Sequence, residues 1–357
     1  MRKRRRLQNE RSFMMENLEN KQNKGQFYTV TNPFKLNPVY TWYDAIPNMA
    51  EETILEPFAG SNNIIKMIQE INVAQPAGWQ AYDIEPPTIN KTPEYPVEER
   101  DTLANFPSGY RVGITNPPYL ARNSATRRGL DYPDTEHDDK YKEAIEQMLI
   151  HLDYVAAIIP ESFITSGLFT DRLDKVISLN VKMFEDTETP VCLALFNKEH
   201  MEETEVYRMN LLLGTLSDLR EELKYIHDHK SDIGNQLEFN SPDGSIGLRL
   251  VDNTKEDSIV FFEGENIDPS KVKNTSRANT RVAGLDFETD ADRQKFLEVA
   301  NELLATYREK TQDVFMTSFK GLRADGKYRR RLDFKTARAI LAKAYELTMG
   351  VNIKKRR

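Results

Sequence analysis

The stretch Ile114-Thr115-Asn116-Pro117-Pro118-Tyr119 decides how this chain is read: an apolar strand runs straight into a stiff polar turn. Val112–Thr115 is short, apolar and β-branched, as a buried strand should be. Each proline then holds its own φ at about −65° and lacks a backbone N–H. Pro117 disfavours helical geometry at Asn116, and Pro118 does the same to Pro117. An extended loop therefore leaves the strand's carboxyl end, presenting an amide, a carbonyl and an aromatic ring. In open α/β sheets, ligands bind at that end of the strands. The loop suits a planar base with an exocyclic amino group. The Asn116 amide oxygen and a proline carbonyl accept from the NH2, and Tyr119 stacks on the ring face.

Upstream lies a strand, a small-residue loop and a helix. Thr53-Ile54-Leu55-Glu56-Pro57-Phe58 ends in Ala59-Gly60-Ser61-Asn62-Asn63, and a helix over 64–71 carries Ile64, Ile65, Met67, Ile68 and Ile71. Small residues let a ligand approach the backbone, and a helix N-terminus offers unpaired N–H groups. Asn62 stands where a second glycine would be expected, and Asn tolerates left-handed backbone better than other non-glycine residues. A second strand, Gly78-Trp79-Gln80-Ala81-Tyr82, ends in Asp83-Ile84-Glu85-Pro86. An acid about twenty residues after a glycine loop is the position that binds ribose hydroxyls in nucleotide-binding α/β folds. Asp83 is the candidate, with Glu85 as its understudy. Asp101, in Asp101-Thr102-Leu103, is placed to accept from an adenine amino group. Taken singly, each acid is more commonly a surface or capping carboxylate.

Downstream, residues 120–140 read as a long polar loop bearing Arg122, Arg127, Arg128 and Gly129, and loops of that length are usually functional or mobile. A helix over Lys140–His151, a strand over Tyr154–Pro160, a helix over 171–179 and a strand around Val191–Phe196 complete an alternating pattern. That pattern predicts an α/β domain with a doubly wound, mostly parallel sheet.

Beyond residue 200 the texture changes. A helix is expected over 211–226, short strands over 246–251 and 258–262, and helices over 290–307 and 335–349, an α+β region. Basic and aromatic residues interleave with glycines in Ser318-Phe319-Lys320-Gly321-Leu322-Arg323-Ala324-Asp325-Gly326-Lys327-Tyr328-Arg329-Arg330-Arg331. This is either a phosphate and groove contact or a solvated basic loop. The expected division is a basic, polar tail over 1–24, a first domain over 25–200 and a second region over 201–357.

Composition narrows the classes. With 357 residues, 39% hydrophobic and 29% charged, the chain is ordinary globular protein, long enough for two domains. No apolar run approaches the roughly 18 residues a membrane span needs, and the basic start Met1-Arg2-Lys3-Arg4-Arg5-Arg6 is not followed by a secretory apolar segment. One cysteine, Cys192, fits a reducing cytoplasm and lies in a strand-like run, as a buried inert thiol does. Five histidines show no metal-site spacing, and no metal is expected. A net charge of −7 argues against a uniformly basic nucleic-acid coat but leaves room for local basic patches.

In order, these pieces resemble the S-adenosylmethionine-dependent amino-methyltransferases of DNA, specifically the N6-adenine enzymes of the gamma arrangement found in type II restriction-modification. The resemblance covers about residues 25–200. Gly25-Gln26-Phe27-Tyr28-Thr29 resembles the family's first cofactor motif, Glu56-Pro57-Phe58-Ala59-Gly60-Ser61 its glycine loop, and Asn116-Pro117-Pro118-Tyr119 its catalytic tetrapeptide. Asn62 departs from the loop pattern. The resemblance implies that Phe27, Tyr28, Thr29, Glu56, Phe58, Ala59, Gly60 and Ser61 lie against the methionine end of the cofactor. It implies that Asp83 holds the ribose, and that Ile84 and Asp101 meet the cofactor's adenine. Asn116, Pro117, Pro118 and Tyr119 form the catalytic turn, and Phe184 is a second aromatic on the flipped base. Residues 201–357 become a DNA target-recognition region, with Lys320, Arg323, Lys327, Arg329, Arg330 and Arg331 as contacts.

The implied substrate is adenine in double-stranded DNA. The implied setting is a monomeric, cytoplasmic enzyme of bacterial or phage origin, with a cognate restriction endonuclease as functional partner. Cytosine N4 presents a similar amino group, but that group of enzymes more commonly carries Ser in place of Asn116. RNA-base and protein-glutamine methyltransferases share the tetrapeptide and generally lack a large C-terminal region.

Overall fold

A computed structural model describes residues 32–350 except 133, 180–181, 184–188, 229–231 and 274–277. The chain divides between Leu212 and Leu213 into two compact units.

The first unit opens with α1 (Asn37–Asp44), whose Trp42 and Tyr43 are among the largest fully buried side chains. Strands β1 (Thr53–Glu56), β2 (Gly78–Asp83), β3 (Val97–Glu99) and β4 (Val112–Thr115) follow, with α2 (Asn63–Gln69) between the first two. Then come α3 (Arg122–Arg128), α4 (Lys140–His151), β5 (Tyr154–Pro160), β6 (Leu173–Leu179), β7 (Val191–Phe196) and β8 (Glu205–Arg208), and β9 (Leu211–Thr215) carries the chain into the second unit. The sheet order is β3-β2-β1-β4-β5-β7-β6-β8-β9. Pairings from β3 through β5 are parallel, β7 runs antiparallel to both its neighbours, and β6 and β8 are parallel. The expected α/β class with a doubly wound, mostly parallel sheet is what this unit forms. The order reverses between β1 and β4, and at such a switch point a crevice opens at the strands' carboxyl ends.

Three local expectations are corrected. Residues 173–179 form a strand, not a helix. Leu173, Val176 and Ile177 mimic helical spacing, but every position of β6 is buried, because both faces of the sheet are covered. Its polar residues are satisfied: Lys175 pairs with Asp174 (3.2 Å) and Glu205 (2.7 Å), and the Ser178 hydroxyl donates to Glu161 (2.5 Å). Residues 120–140 are no plain loop, since α3 lies within them, ending at Gly129 in left-handed backbone (φ 63°). Residues 211–226 are β9 followed by helix α5 (Leu216–His227), with Thr215 capping the helix through the Asp218 N–H (3.1 Å).

The second unit contains β10 (Glu238–Phe239), β11 (Ile246–Arg249), β12 (Val260–Glu263) and β13 (Asn279–Ala283), in the antiparallel order β10-β13-β11-β12. Helix α6 (Asp290–Thr311) starts at a capping box formed by Thr289 and Asp292. A hairpin of β14 (Thr317–Leu322) and β15 (Tyr328–Arg331) precedes α7 (Phe334–Met349). One apolar core joins Leu248 and Phe261 of the sheet to Phe296 and Leu304 of α6 and Ile340 of α7. Asn301 of α6 clips onto β12, accepting from the Phe261 N–H and donating to its carbonyl, both at 2.9 Å. Among the described residues, no helix is long and apolar enough to cross a membrane.

Candidate active site

Two loops leave the carboxyl ends of the adjacent parallel strands β1 and β4, in register at Leu55 and Gly113. The first is the glycine loop. Gly60 takes φ +48°, and Asn62 sits in left-handed backbone at φ 59°, the geometry expected of an Asn in that position. Asn62 also contributes something a glycine could not. Its buried Nδ2 donates to Asn90 Oδ1 (3.0 Å) and to the Tyr95 carbonyl (2.8 Å), tying the loop to the segment beyond β2.

The acids mainly shape this loop. Asp83 is 6% exposed, and its oxygens accept from the Gly60 N–H (2.8 Å) and the Glu85 N–H (3.0 Å). Glu85, two residues beyond the end of β2, is exposed. Ile84 stands 60% exposed beside it, available to a flat ligand. Asp101 is exposed, and its Oδ1 accepts from the Leu103 and Ala104 N–H groups, both at 3.1 Å. The next residue, Thr102, is buried and donates to the Pro57 carbonyl (2.9 Å), which brings the Asp101 turn against the glycine loop.

Glu56, the last residue of β1, is fully buried. Its Oε1 accepts from the Phe58 N–H (3.3 Å) and from the Thr115 hydroxyl, while Oε2 has no hydrogen-bond partner among the described residues. Burial pushes its carboxyl up to about 8, against the downward pull of those two hydrogen bonds, so it holds a proton near neutrality.

The second loop is the Asn116 turn. Pro117 is buried and Asn116 and Pro118 are half-buried. Tyr119 closes the turn, packed inward. The residue is 8% exposed, and its ring meets Tyr141 edge-on at 6.4 Å. Its hydroxyl lies 2.5 Å from Asn116 Oδ1 and 2.6 Å from the Ile158 carbonyl. The ring thus neighbours Tyr141 of α4, while the hydroxyl meets Asn116 and the Ile158 carbonyl of β5. The turn's far side is pinned by Asp139, which accepts from the Leu120 N–H (3.0 Å). Burial raises the Asp139 carboxyl to about 6, against two backbone hydrogen bonds from Leu120 and Tyr141. Nearby, His137, Glu143 and Glu146 converge, with His137 paired to Glu146 (3.2 Å) and Glu143 accepting from Thr135, which staples the loop to α4. Cys192 is fully buried and its thiol is pushed well up by burial, as expected of an inert thiol.

Phe27, Tyr28, Thr29 and Phe184 lie outside the described residues, as does the Lys320 side chain. Sequence reading passed over Thr115, Thr102 and Asp139. The available signal was a hydroxyl or carboxyl directly beside a motif residue, in positions that prove buried.

In the second unit, the basic stretch is a hairpin whose arginines turn inward. Arg323 pairs with Asp257 and with Asp325 (2.9 Å). Arg329 lies over the Phe319 ring (5.1 Å) and donates to the Asp252 carbonyl (2.7 Å). Arg330 is 4% exposed and donates to Ser318 (2.6 Å), and the Arg331 backbone bridges to Val251. Arg323, Arg329 and Arg330, expected as phosphate contacts, are thus engaged by carboxylates, a carbonyl, a hydroxyl and a ring of the same unit. Lys327 alone among the side chains placed here stands more than half exposed, at 57%.

No family model matches the chain, and no curated protein matches it. Solved structures do. A putative class I S-adenosylmethionine-dependent methyltransferase from Listeria monocytogenes is similar at 12% identity and a TM-score of 0.35, over 52% of this chain and 69% of that one. A modification subunit of a putative type I restriction enzyme from Vibrio vulnificus aligns at 12% identity and a TM-score of 0.34, over 52% and 47%. The type I restriction-modification methyltransferase subunit from Streptococcus thermophilus aligns at 16% and 0.35, over 51% and 47%. The alignments span about half the length of the two restriction-modification subunits.

Proposed function

We propose that this chain is a DNA methyltransferase that transfers a methyl group from S-adenosylmethionine to the N6 amino group of adenine. One observation carries the reading: the Asn116-Pro117-Pro118-Tyr119 turn and the glycine loop emerge side by side at the β1/β4 switch point, joined beneath by Thr115 and Glu56. A donor held by one loop would face an acceptor held by the other.

The residues present fit the cofactor. Glu56 keeps an oxygen without a partner among the described residues beneath the loop, Gly60 puts no side chain in the way of the backbone, and Ile84 offers an exposed apolar face beside Glu85. When bound, S-adenosylmethionine supplies an electrophilic methyl group on sulfur. The chain's own part is positioning. Asn116 Oδ1 and the Pro117 carbonyl accept the two hydrogens of the target amino group, which turns the nitrogen toward tetrahedral geometry and aims its lone pair. The target must leave the duplex for this, at a cost of a few kcal/mol. Rate enhancement then comes from orientation and fixed dipoles, with no covalent enzyme intermediate. The double-stranded DNA partner would be bound with residues 201–357, and a restriction-modification setting with a cognate endonuclease accords with the tetrapeptide resemblance. Cytosine N4 is the second reading, disfavoured by Asn at position 116.

Incubating plasmid DNA with the full chain and labelled S-adenosylmethionine, then digesting to nucleosides, tests this directly. Label in N6-methyladenine supports the reading, label in N4-methylcytosine transfers it to cytosine, and unlabelled DNA overturns it. Asn116→Ala should remove about 100-fold or more of the rate while cofactor binding persists.

A further inference from the structure

Away from the two loops, one group of side chains joins a ring nitrogen to two carboxylates. Helical spacing sets Glu143 and Glu146, three residues apart in α4, on one face of that helix. The chain ahead of the helix folds back and brings His137 against them. Their ligand atoms all lie within 4.8 Å of one another. We propose that His137, Glu143 and Glu146 form a binding site for one divalent transition ion of the Zn²⁺ kind. The inference goes beyond the proposed function and uses no residue assigned there. Histidine spacing along the chain hides this group, since two of its three members are glutamates.

The donor set decides the class of ion. An imidazole nitrogen together with carboxylate oxygens suits first-row transition ions, whereas Mg²⁺ and Ca²⁺ favour oxygen alone. Charge agrees: a neutral imidazole and two carboxylates are cancelled by one divalent ion. Without it, His137 pairs with Glu146 at 3.2 Å, while Glu143 forms no ion pair among the described residues. Bonds of about 2.0–2.2 Å set the ligand atoms around such an ion roughly 3–4 Å apart, so side-chain rotation on the order of 1 Å draws the three together.

The ligands are already oriented. The His137 N–H donates to Thr135 Oγ1 (3.3 Å), its carbonyl accepts from Arg122 (2.9 Å), and its ring leans on Phe169 at 5.9 Å. Glu143 accepts from the Thr135 hydroxyl and from Gln147 Nε2 (3.4 Å), and outer partners of this kind hold metal ligands in place. The Glu146 side chain is 44% exposed, which gives the ion a way in. Three protein ligands leave the remaining positions to water. A bound ion fastens residues 135–137 to α4 and so ties down the segment that leaves the Asn116 turn.

Calorimetric titration of ZnCl2 into the chelator-treated full chain should show one saturable site per chain. His137→Ala, Glu143→Gln and Glu146→Gln should each weaken binding about tenfold or more. His200→Ala, at an exposed histidine outside the group, should leave it unchanged. Zn²⁺ should raise the thermal midpoint of wild type and not that of the three variants. Glutamine nearly keeps the shape of glutamate, so the two glutamine variants decide the matter even where His137→Ala fails to fold. Absence of saturable Zn²⁺ binding overturns the site, as does binding that survives these substitutions. Ca²⁺ bound as tightly as Zn²⁺ overturns it too, because the imidazole would then be no ligand. None of these measurements involves DNA or S-adenosylmethionine, so the proposed function and this inference stand or fall separately.

Discussion

The Thr115 hydroxyl donates to the Glu56 carboxyl, joining the last residue of β4 to the last residue of β1. Strand pairing brings these residues together, but the side-chain bond fixes the spacing of the two loops that follow them. A protonated Glu56 serves this purpose well, because a neutral carboxyl can remain buried where an ion would have to be paired.

Glu56 makes stability depend on pH. Its carboxyl rises from an ordinary 4.5 to about 8 in the folded chain. Across that interval the folded state keeps a proton that the unfolded state has lost, so stability falls as pH rises. Glu56→Gln retains an acceptor for Thr115 and Phe58 and never ionises. Its thermal midpoint should therefore drop less between about pH 5 and about pH 8 than that of wild type. Parallel curves for the two chains would show that Glu56 is ionised throughout.

Asn62 tests whether the glycine loop wants a second glycine. Asn62→Gly relieves the left-handed backbone but removes the hydrogen bonds to Asn90 and Tyr95. Buried bonds outweigh the small backbone gain, and the variant should lose about 1–2 kcal/mol in urea unfolding. A stabilised variant would mean that the side chain's clamp on residues 90–95 contributes nothing.

Asp252 organises the second unit. It is fully buried and accepts from Arg308 through two N–H groups, both at 3.0 Å, and from the Ser258 N–H (2.7 Å). Burial pushes its carboxyl up, but these partners outweigh it and hold it below the usual range. Asp252→Ala leaves Arg308 with a buried, partly uncompensated charge, which should cost about 3–5 kcal/mol. Denaturant midpoints check this, and a loss below about 1 kcal/mol would refute a central role for the pair.

Lys327 offers the clean test of the hairpin as a DNA contact. Being mostly exposed, Lys327→Ala should leave the thermal midpoint unchanged and reduce the salt slope of DNA binding by about one. Arg330→Ala, by contrast, should lower the midpoint, because its guanidinium is buried on Ser318. An unchanged slope for Lys327→Ala would remove this hairpin from the DNA-binding surface.

The sequence by itself determined the α/β class of the first unit, the strands β1, β2, β4 and β5, the position of the Asn116 turn and the left-handed backbone at Asn62. Those features follow from local causes: apolar runs bounded by turn residues, the fixed φ of proline, and the tolerance of Asn for positive φ. Tertiary structure alone decided that 173–179 is a strand, because the cover on both sheet faces removed the alternation that would have marked it. It alone decided that Tyr119 points inward to Ile158 and that Arg323, Arg329 and Arg330 serve the second unit's own acids, carbonyls and rings. Residue type sets what a side chain can bond to; only the fold sets what stands opposite it.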